Sequence, residues 1–211
     1  ENFSIGGASA NDRRRTLGAT VIGSHGPYDY DFELVRQFGD FGAQEVSAWG
    51  GAAQLSRGLD DVTWEPRIGV RLTYGSGDSD PLDGEQETYS PPQPRGSWFS
   101  EGGFNSHANI IEAAATAELS PRDDLTLTFR YSGLWRPETA DFAYASPFVA
   151  LPGTRGGDAF IATSPNISAN WRVNRHVTVR AHGAYFDVSD HIADAGGENG
   201  AYANVSLALR Y

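Results

Sequence analysis

The sequence predicts an all-β chain: a transmembrane antiparallel up-and-down β-barrel with about nine strands present. Three observations carry this expectation. Apolar and polar residues alternate with period two along most of the chain, the alternating runs reach roughly ten residues or more, and short turns take turns with long loops. Soluble-protein strands cluster near five or six residues, whereas about ten tilted residues cross a bilayer. A soluble sandwich also alternates, but it explains neither the length of these strands nor the placement of their aromatic residues.

The elements follow in order. Arg14–Gly23, Tyr30–Phe38 and Glu45–Arg57 are joined by "SHGPYD" and "GDFGAQ". Trp64–Gly75 follows "RGLDDVT" and contains "PRIGVRLTYG". There Ile68, Val70, Leu72 and Tyr74 share one face, and Arg67, Gly69, Arg71 and Thr73 the other. Asn109–Ser120 and Leu125–Arg136 flank "SPRDD". In "LTLTFRYSGLWR" the oily face is Leu125, Leu127, Phe129, Tyr131, Gly133 and Trp135, while Leu134 is the one apolar residue among the threonines, serine and arginines opposite. Ala159–Val173 and Val177–Val188 flank "VNRH", and Ala201–Tyr211 alternates to a terminal aromatic, as barrel-insertion signals do. The long segments are Ser76–Ala108, Pro137–Asp158 and Ser189–Gly200. With Tyr211 on the periplasmic side, parity puts every long loop outside and leaves "GDFGAQ" as the short external turn. Trp64, Trp171 and Tyr211 then fall at the periplasmic rim and Tyr74, Trp135 and Tyr185 at the other, two girdles at headgroup level.

Composition sets the bounds. With no cysteine among 211 residues, disulfides and thiolate metal sites are excluded. No apolar run has the length of a transmembrane helix, which leaves a barrel open. The chain begins at Glu1 and contains no methionine, which reads as a processed mature chain or a fragment. All sixteen basic residues are arginine, and the net charge of −11 argues against nucleic acid as a partner.

If the oily face meets lipid, the polar face lines a lumen. Arg67, Arg71, Arg130 and Arg180 then project inward, with His182, Arg136, Arg172 and Arg210 in support or nearer the ends. Glu112 and Glu118 face the same way, so a mixed network is expected, while the acidic surplus sits in the loops. Rings of arginine pass anions, and a water-filled interior hosts guanidinium groups at low cost. The alternative is that each arginine pairs with a carboxylate and stiffens the wall.

Residues 64–111 read "WEPRIGVRLTYGSGDSDPLDGEQETYSPPQPRGSWFSEGGFNSHANII". The W-x-P-R-x-G-x-R strand, the "SGDSDPLDG" turn, the T-(F/Y)-x-P segment, "PRG" with a following aromatic and the N-(I/L)-I start of the next strand resemble the alginate-export family of outer-membrane porins. "WRVNRHVTVRAHGAYF" and "ALRY" resemble the terminal strands of that family. The resemblance implies a bacterial outer-membrane channel without enzymatic activity, one of a family of monomeric barrels of about 18 strands. Its members pass anionic or small solutes, polymannuronate and polyguluronate in the type member. It also implies that the chain, one barrel domain over 1–211, matches the C-terminal half, the other strands lying elsewhere or on another chain. The partners expected are outer-membrane lipid and lipopolysaccharide, an anionic solute or polysaccharide, and the barrel-insertion machinery. A non-conducting structural or adhesive barrel, acting through its external loops, is the alternative.

Two further patterns bear on metal binding and catalysis. "DSDPLDG" spaces Asp78, Asp80 and Asp83 before Gly84, which makes calcium a candidate cofactor of the 76–87 loop. The spacing is one residue out of EF-hand register and lacks the bidentate glutamate, so an acidic solvated loop competes with it. The five histidines show no metal-ligand spacing, and no serine–histidine pair meets at the lipid face as an outer-membrane lipase would require.

Overall fold

A computed structural model of the chain describes residues 2–6, 8–92 and 98–210. Nine long strands appear in the expected order: β2 Ala8–His25, β3 Tyr28–Phe41, β4 Gln44–Gly58, β5 Arg67–Gly75, β7 Ile110–Arg122, β8 Leu125–Trp135, β11 Phe160–Arg172, β12 Val177–Val188 and β13 Gly200–Leu209. Four short strands join them, β1 Asn2–Ile5, β6 Glu85–Gln86, β9 Tyr144–Ala145 and β10 Val149–Ala150, with one helical turn, α1 Asp190–Asp194. The strand count therefore exceeds the expected nine, because the N-terminal stretch and the loops contribute short strands of their own.

Each long strand pairs antiparallel with the next, in one eleven-stranded sheet ordered β1-β2-β3-β4-β5-β7-β8-β11-β12-β13 with β6 parallel to β4. Among the described residues the sheet does not close on itself. β13 ends it on one side, and β2, covered by β1 only over Ala8–Asn11, ends it on the other.

Several boundaries differ from expectation, β3 spanning Tyr28–Phe41 where Tyr30–Phe38 was expected, and two of the differences have a local cause. β2 starts at Ala8 rather than Arg14, because β1 folds back on it through Gly6 and lengthens the paired stretch. β5 starts at Arg67 rather than Trp64, since Trp64 and Glu65 take positive φ angles of 71° and 44°, which no strand accommodates. Trp64 stays at the periplasmic end, its carbonyl accepting from Ser120 N at 2.8 Å.

The faces match the alternation. The outer face exposes Leu17, Leu34, Leu55, Val70, Phe129, Tyr131, Ile167, Val205 and Leu207, an apolar surface that water would not tolerate at this extent and lipid requires. Trp64 and Trp171 stand at its periplasmic end, and Tyr74, Trp135 and Tyr185 at the other. Tyr211 lies outside the described residues. Arg36 and Arg57, which period-two reading puts on the outer face, and Arg122, which the register shift after Leu119 turns there, sit over rim aromatics: Arg36 over Trp49 at 4.6 Å, Arg57 over Tyr28 at 5.7 Å and Arg122 over Trp171 at 5.6 Å. They hold their charge at headgroup level instead of in hydrocarbon.

The inner face is polar towards the periplasm and covered at its extracellular end. The segment between β5 and β7 lies on it. Phe99 and Phe104 pack with Ile110, Leu134, Ile161, Phe186 and Ile192 into the largest core cluster. This accounts for Leu134, the apolar exception on its polar face, which is 1% exposed beneath the loop. The wall is shaped for this contact. Gly50 and Gly75 face each other across β4 and β5. A Cβ at Gly50 would stand 2.5 Å from the Tyr89 ring, and one at Gly75 1.8 Å from the His107 carbonyl oxygen. Two bare positions side by side let the loop rest directly on the sheet.

Candidate functional site

The inner face divides into a sealed extracellular half and an open periplasmic half. The loop that seals it is fastened at both flanks. On the β2–β3 side, Gln37 Nε2 donates to the Ser90 carbonyl at 2.6 Å and its Oε1 accepts from Ser90 N at 3.0 Å, while Arg14 Nη1 donates to the Thr88 carbonyl at 2.8 Å. On the β12 side Phe104 stacks on Phe186 with centroids 5.2 Å apart. Between them, Trp98 Nε1 donates to Thr73 Oγ1 at 2.9 Å, and Arg130 Nη2 donates to the Phe99 carbonyl.

Beneath Trp98 lies the most buried ion pair of the wall. Glu112, opposite Thr73 in register and diagonal to Arg71, accepts from Arg71 Nε and Nη2 at 2.9 and 2.6 Å, from Thr73 Oγ1 at 3.0 Å and from Ser132 Oγ at 2.8 Å. Both oxygens are satisfied and the guanidinium lies under the Trp98 ring at 4.9 Å, so this pair is a fixed cross-brace of three strands. Arg71 and Glu112 thus take the wall-stiffening role.

The other predicted lumen residues divide by environment. Arg67 pairs with Asp29 near the periplasmic end, both partly exposed. Glu118 is exposed on the same side. Arg136 is not in the lumen: it is 1% exposed inside the second long loop, where Nη1 and Nη2 donate to the carbonyls of Asp141, Thr154, Gly156 and Asp158. It sits one residue past β8, where its side chain follows the loop instead of the strand's alternation. Arg172 turns to the Asp123 carbonyl at 2.6 Å in the periplasmic turn, and Arg210 is exposed at the end of β13. Arg180 is exposed and forms no ion pair among the described residues, while His182 Nδ1 shares a 2.8 Å hydrogen bond with Ser168 Oγ.

The acidic loop is not assembled as a cation site. Asp80 Oδ1 accepts from Leu82 N at 3.1 Å and Asp83 Oδ1 from Glu85 N at 2.8 Å, both as exposed turn caps. Asp78 is buried and turned towards Asp141, and among the described residues no three acidic or histidine side chains converge. Asp141, which no local sequence pattern singles out, is the hub. Its carboxylate accepts from Asp78 N, Thr88 Oγ1, Phe142 N and Tyr144 OH between 2.7 and 3.1 Å, joining the two long loops. Burial, then the neighbouring Asp141, Glu87 and Asp83 carboxylates, push Asp78 up to about 7. Burial holds the His107 imidazole down at about 4, with Glu112 opposing and Arg71 assisting.

These two groups oppose each other in pH. A raised carboxyl favours the docked loop when protonated, a contribution complete below its ordinary value near 3.8 and lost as pH rises through about 7. A lowered imidazole favours docking when neutral, a contribution complete above 6.5 and lost as pH falls towards about 4. Loop docking is therefore expected to change little between about 4 and about 6.5 in the natural chain. Asp78→Asn should leave a loop that loosens on acidification alone, and His107→Phe one that loosens only as pH rises towards about 7. Hydrogen exchange of residues 76–92 against pH reads both; parallel profiles for the two variants would refute the compensation.

The open half has a different charge pattern. Inward positions on β8, β11, β12 and β13 carry Arg130, Arg172, Arg180 and His182 and no carboxylate, whereas the acidic inward residues, Asp12, Asp29, Asp31, Glu33, Glu112 and Glu118, sit on β2, β3 and β7. The network is mixed, as expected, but segregated strand by strand.

Comparison with known proteins agrees with this architecture. No curated protein matches the chain significantly. Among solved structures, the NanC porin in a rhombohedral crystal form superposes with a TM-score of 0.50 at 12% sequence identity, over 94% of this chain and 79% of the porin, a likeness of fold alone. The alginate export family model matches residues 5–206. A match of that span, on a sheet with one lipid-suited face and one polar face, makes the chain a member of the alginate-export family of outer-membrane porins.

Proposed function

We propose that this channel wall serves anionic solutes, carboxylate polysaccharides of the polyuronate type among them, by passive electrostatically assisted diffusion. The observation that carries the proposal is the contiguous carboxylate-free stretch of inner face on β8, β11, β12 and β13, with its arginines and histidine. Cationic side chains along a low-dielectric wall lower the barrier for carboxylates and raise it for cations. In this reading the strands that complete the ring come from another segment or another chain. The proposal is tested by planar-bilayer conductance of the purified protein under a salt gradient, followed by polyuronate on one side. The expected result is an anion-selective reversal potential and current block by the polymer; cation selectivity would overturn it. The docked loop favours a second reading, a non-conducting barrel acting through its extracellular loops. Complete absence of current in a folded, inserted and closed ring would favour that reading instead.

A further inference from the structure

On the outer face, the extracellular rim is uneven in charge. The outward positions of β2 near that end are Arg13, Arg15 and Leu17, and the register sets them opposite Asp40, Phe38 and Arg36 of β3. Arg15 and Arg36 are therefore diagonal neighbours, roughly 7–8 Å apart at the backbone, a separation that two long side chains can close onto one group. Arg36 is already fixed over Trp49, and its Nη2 donates at 2.9 Å to Ser47 Oγ, one step further from the bilayer. None of Arg13, Arg15 and Arg36 forms an ion pair among the described residues. Towards the bilayer centre the same two strands expose Leu17, Val21, Phe32 and Leu34. Asp40 and Glu45, with Glu85 of β6 beside Glu45, lie one row beyond Arg15 on the side away from lipid. Among the described residues no other long strand carries an outward arginine at this end.

We infer that Arg15 and Arg36, with Arg13 behind them, form a site on the lipid side of the wall for a phosphorylated, acylated sugar lipid of the outer leaflet, a lipopolysaccharide molecule. Its phosphate is taken by the two guanidinium groups, and its acyl chains lie along the apolar outer face of β2 and β3. A cation at the border of hydrocarbon that has no carboxylate of its own finds its counter-ion in the lipid, and the planar guanidinium fork fits a phosphate group. The order along the membrane normal matches such a lipid: apolar side chains, then arginines, then carboxylates at the level of its hydrated sugars. The periplasmic rim is built differently. Its outward arginines, Arg57 on β4 and Arg122 on β7, are separated by β5, and Arg122 is paired with Asp124. Pairing of β2 with a further strand uses its backbone edge and leaves these outward side chains facing lipid. The site is independent of what passes through the lumen.

The test is native mass spectrometry of the complete protein in detergent, titrated with bis-phosphorylated lipid A, with the same lipid stripped of its phosphates, and with phosphatidylglycerol. The natural protein should hold lipid A about tenfold to a hundredfold more tightly than the stripped lipid, with phosphatidylglycerol no better than the stripped lipid. Arg15→Gln combined with Arg36→Gln should reduce lipid A binding to the level of the stripped lipid. Arg36→Lys, which keeps the charge without the fork, should fall between, and Arg57→Gln at the other rim should change nothing. Equal binding of lipid A with and without its phosphates, a comparison that needs no variant, would overturn the site, as would lipid A binding by the double variant equal to that of the natural protein. Phosphatidylglycerol held as tightly as lipid A, or displacement of lipid A by millimolar inorganic phosphate, would show a plain anion contact and overturn the assignment to this lipid.

Discussion

Glu112→Ala is expected to destabilise the sheet by about 3–5 kcal/mol, the usual cost of stranding one partner of a buried ion pair. Glu112 is fully buried, and its removal leaves the Arg71 guanidinium, with a side chain 7% exposed, without its counter-charge. It also leaves the Thr73 and Ser132 hydroxyls without their acceptor, although Thr73 keeps its bond from Trp98. Arg71→Met combined with Glu112→Leu should recover more than half of that loss, because the desolvation of both charges disappears together. Urea unfolding of the refolded protein in lipid vesicles measures all three values, and Trp98, stacked over Arg71, supplies a local fluorescence reporter. A single-variant loss under about 1 kcal/mol would mean that water reaches the pair and that it braces nothing.

Arg136→Ala should release the second long loop without unfolding the sheet. Four main-chain carbonyls from Asp141 to Asp158 converge on one buried guanidinium, and an orphaned buried carbonyl costs about 1–3 kcal/mol. Since such losses are not additive, a total near 3 kcal/mol is expected, about a hundredfold faster exchange of amides in residues 137–159. Arg136→Lys keeps the charge but has no planar fork to serve four acceptors, and should lie well towards the alanine variant. Exchange in the lysine variant equal to that of the natural chain would show that charge, not geometry, anchors the loop.

How much of this was legible in the sequence follows from the physics of each element. Strand faces were readable because side-chain direction in a strand depends only on parity, and "PRIGVRLTYG" and "VTVRAHGAYF" show it without exceptions that matter. Register was not readable, so Arg71 and Glu112 were both known to point inward, but not that they lie on a diagonal and neutralise each other. The loop's descent into the lumen depends on groups far apart in sequence, Gln37 with Ser90 and Arg14 with Thr88, which no local pattern connects. Leu134 was the one visible hint, an apolar residue on a polar face that needed something to cover it. Arg136 was misplaced because parity was carried one residue beyond the end of its strand.

The two uncovered margins of the sheet have a consequence for whatever seals the ring. β2 and β13 are separated by an even number of long-strand reversals, so both run from the extracellular to the periplasmic side. Brought edge to edge, they would pair parallel, and two copies of the chain sharing a membrane orientation would meet the same mismatch at each seam. An all-antiparallel ring therefore needs an odd number of additional strands, the first and last of them both climbing outward. Handedness of travel, more than size or charge, thus decides which segment can stand next to this wall.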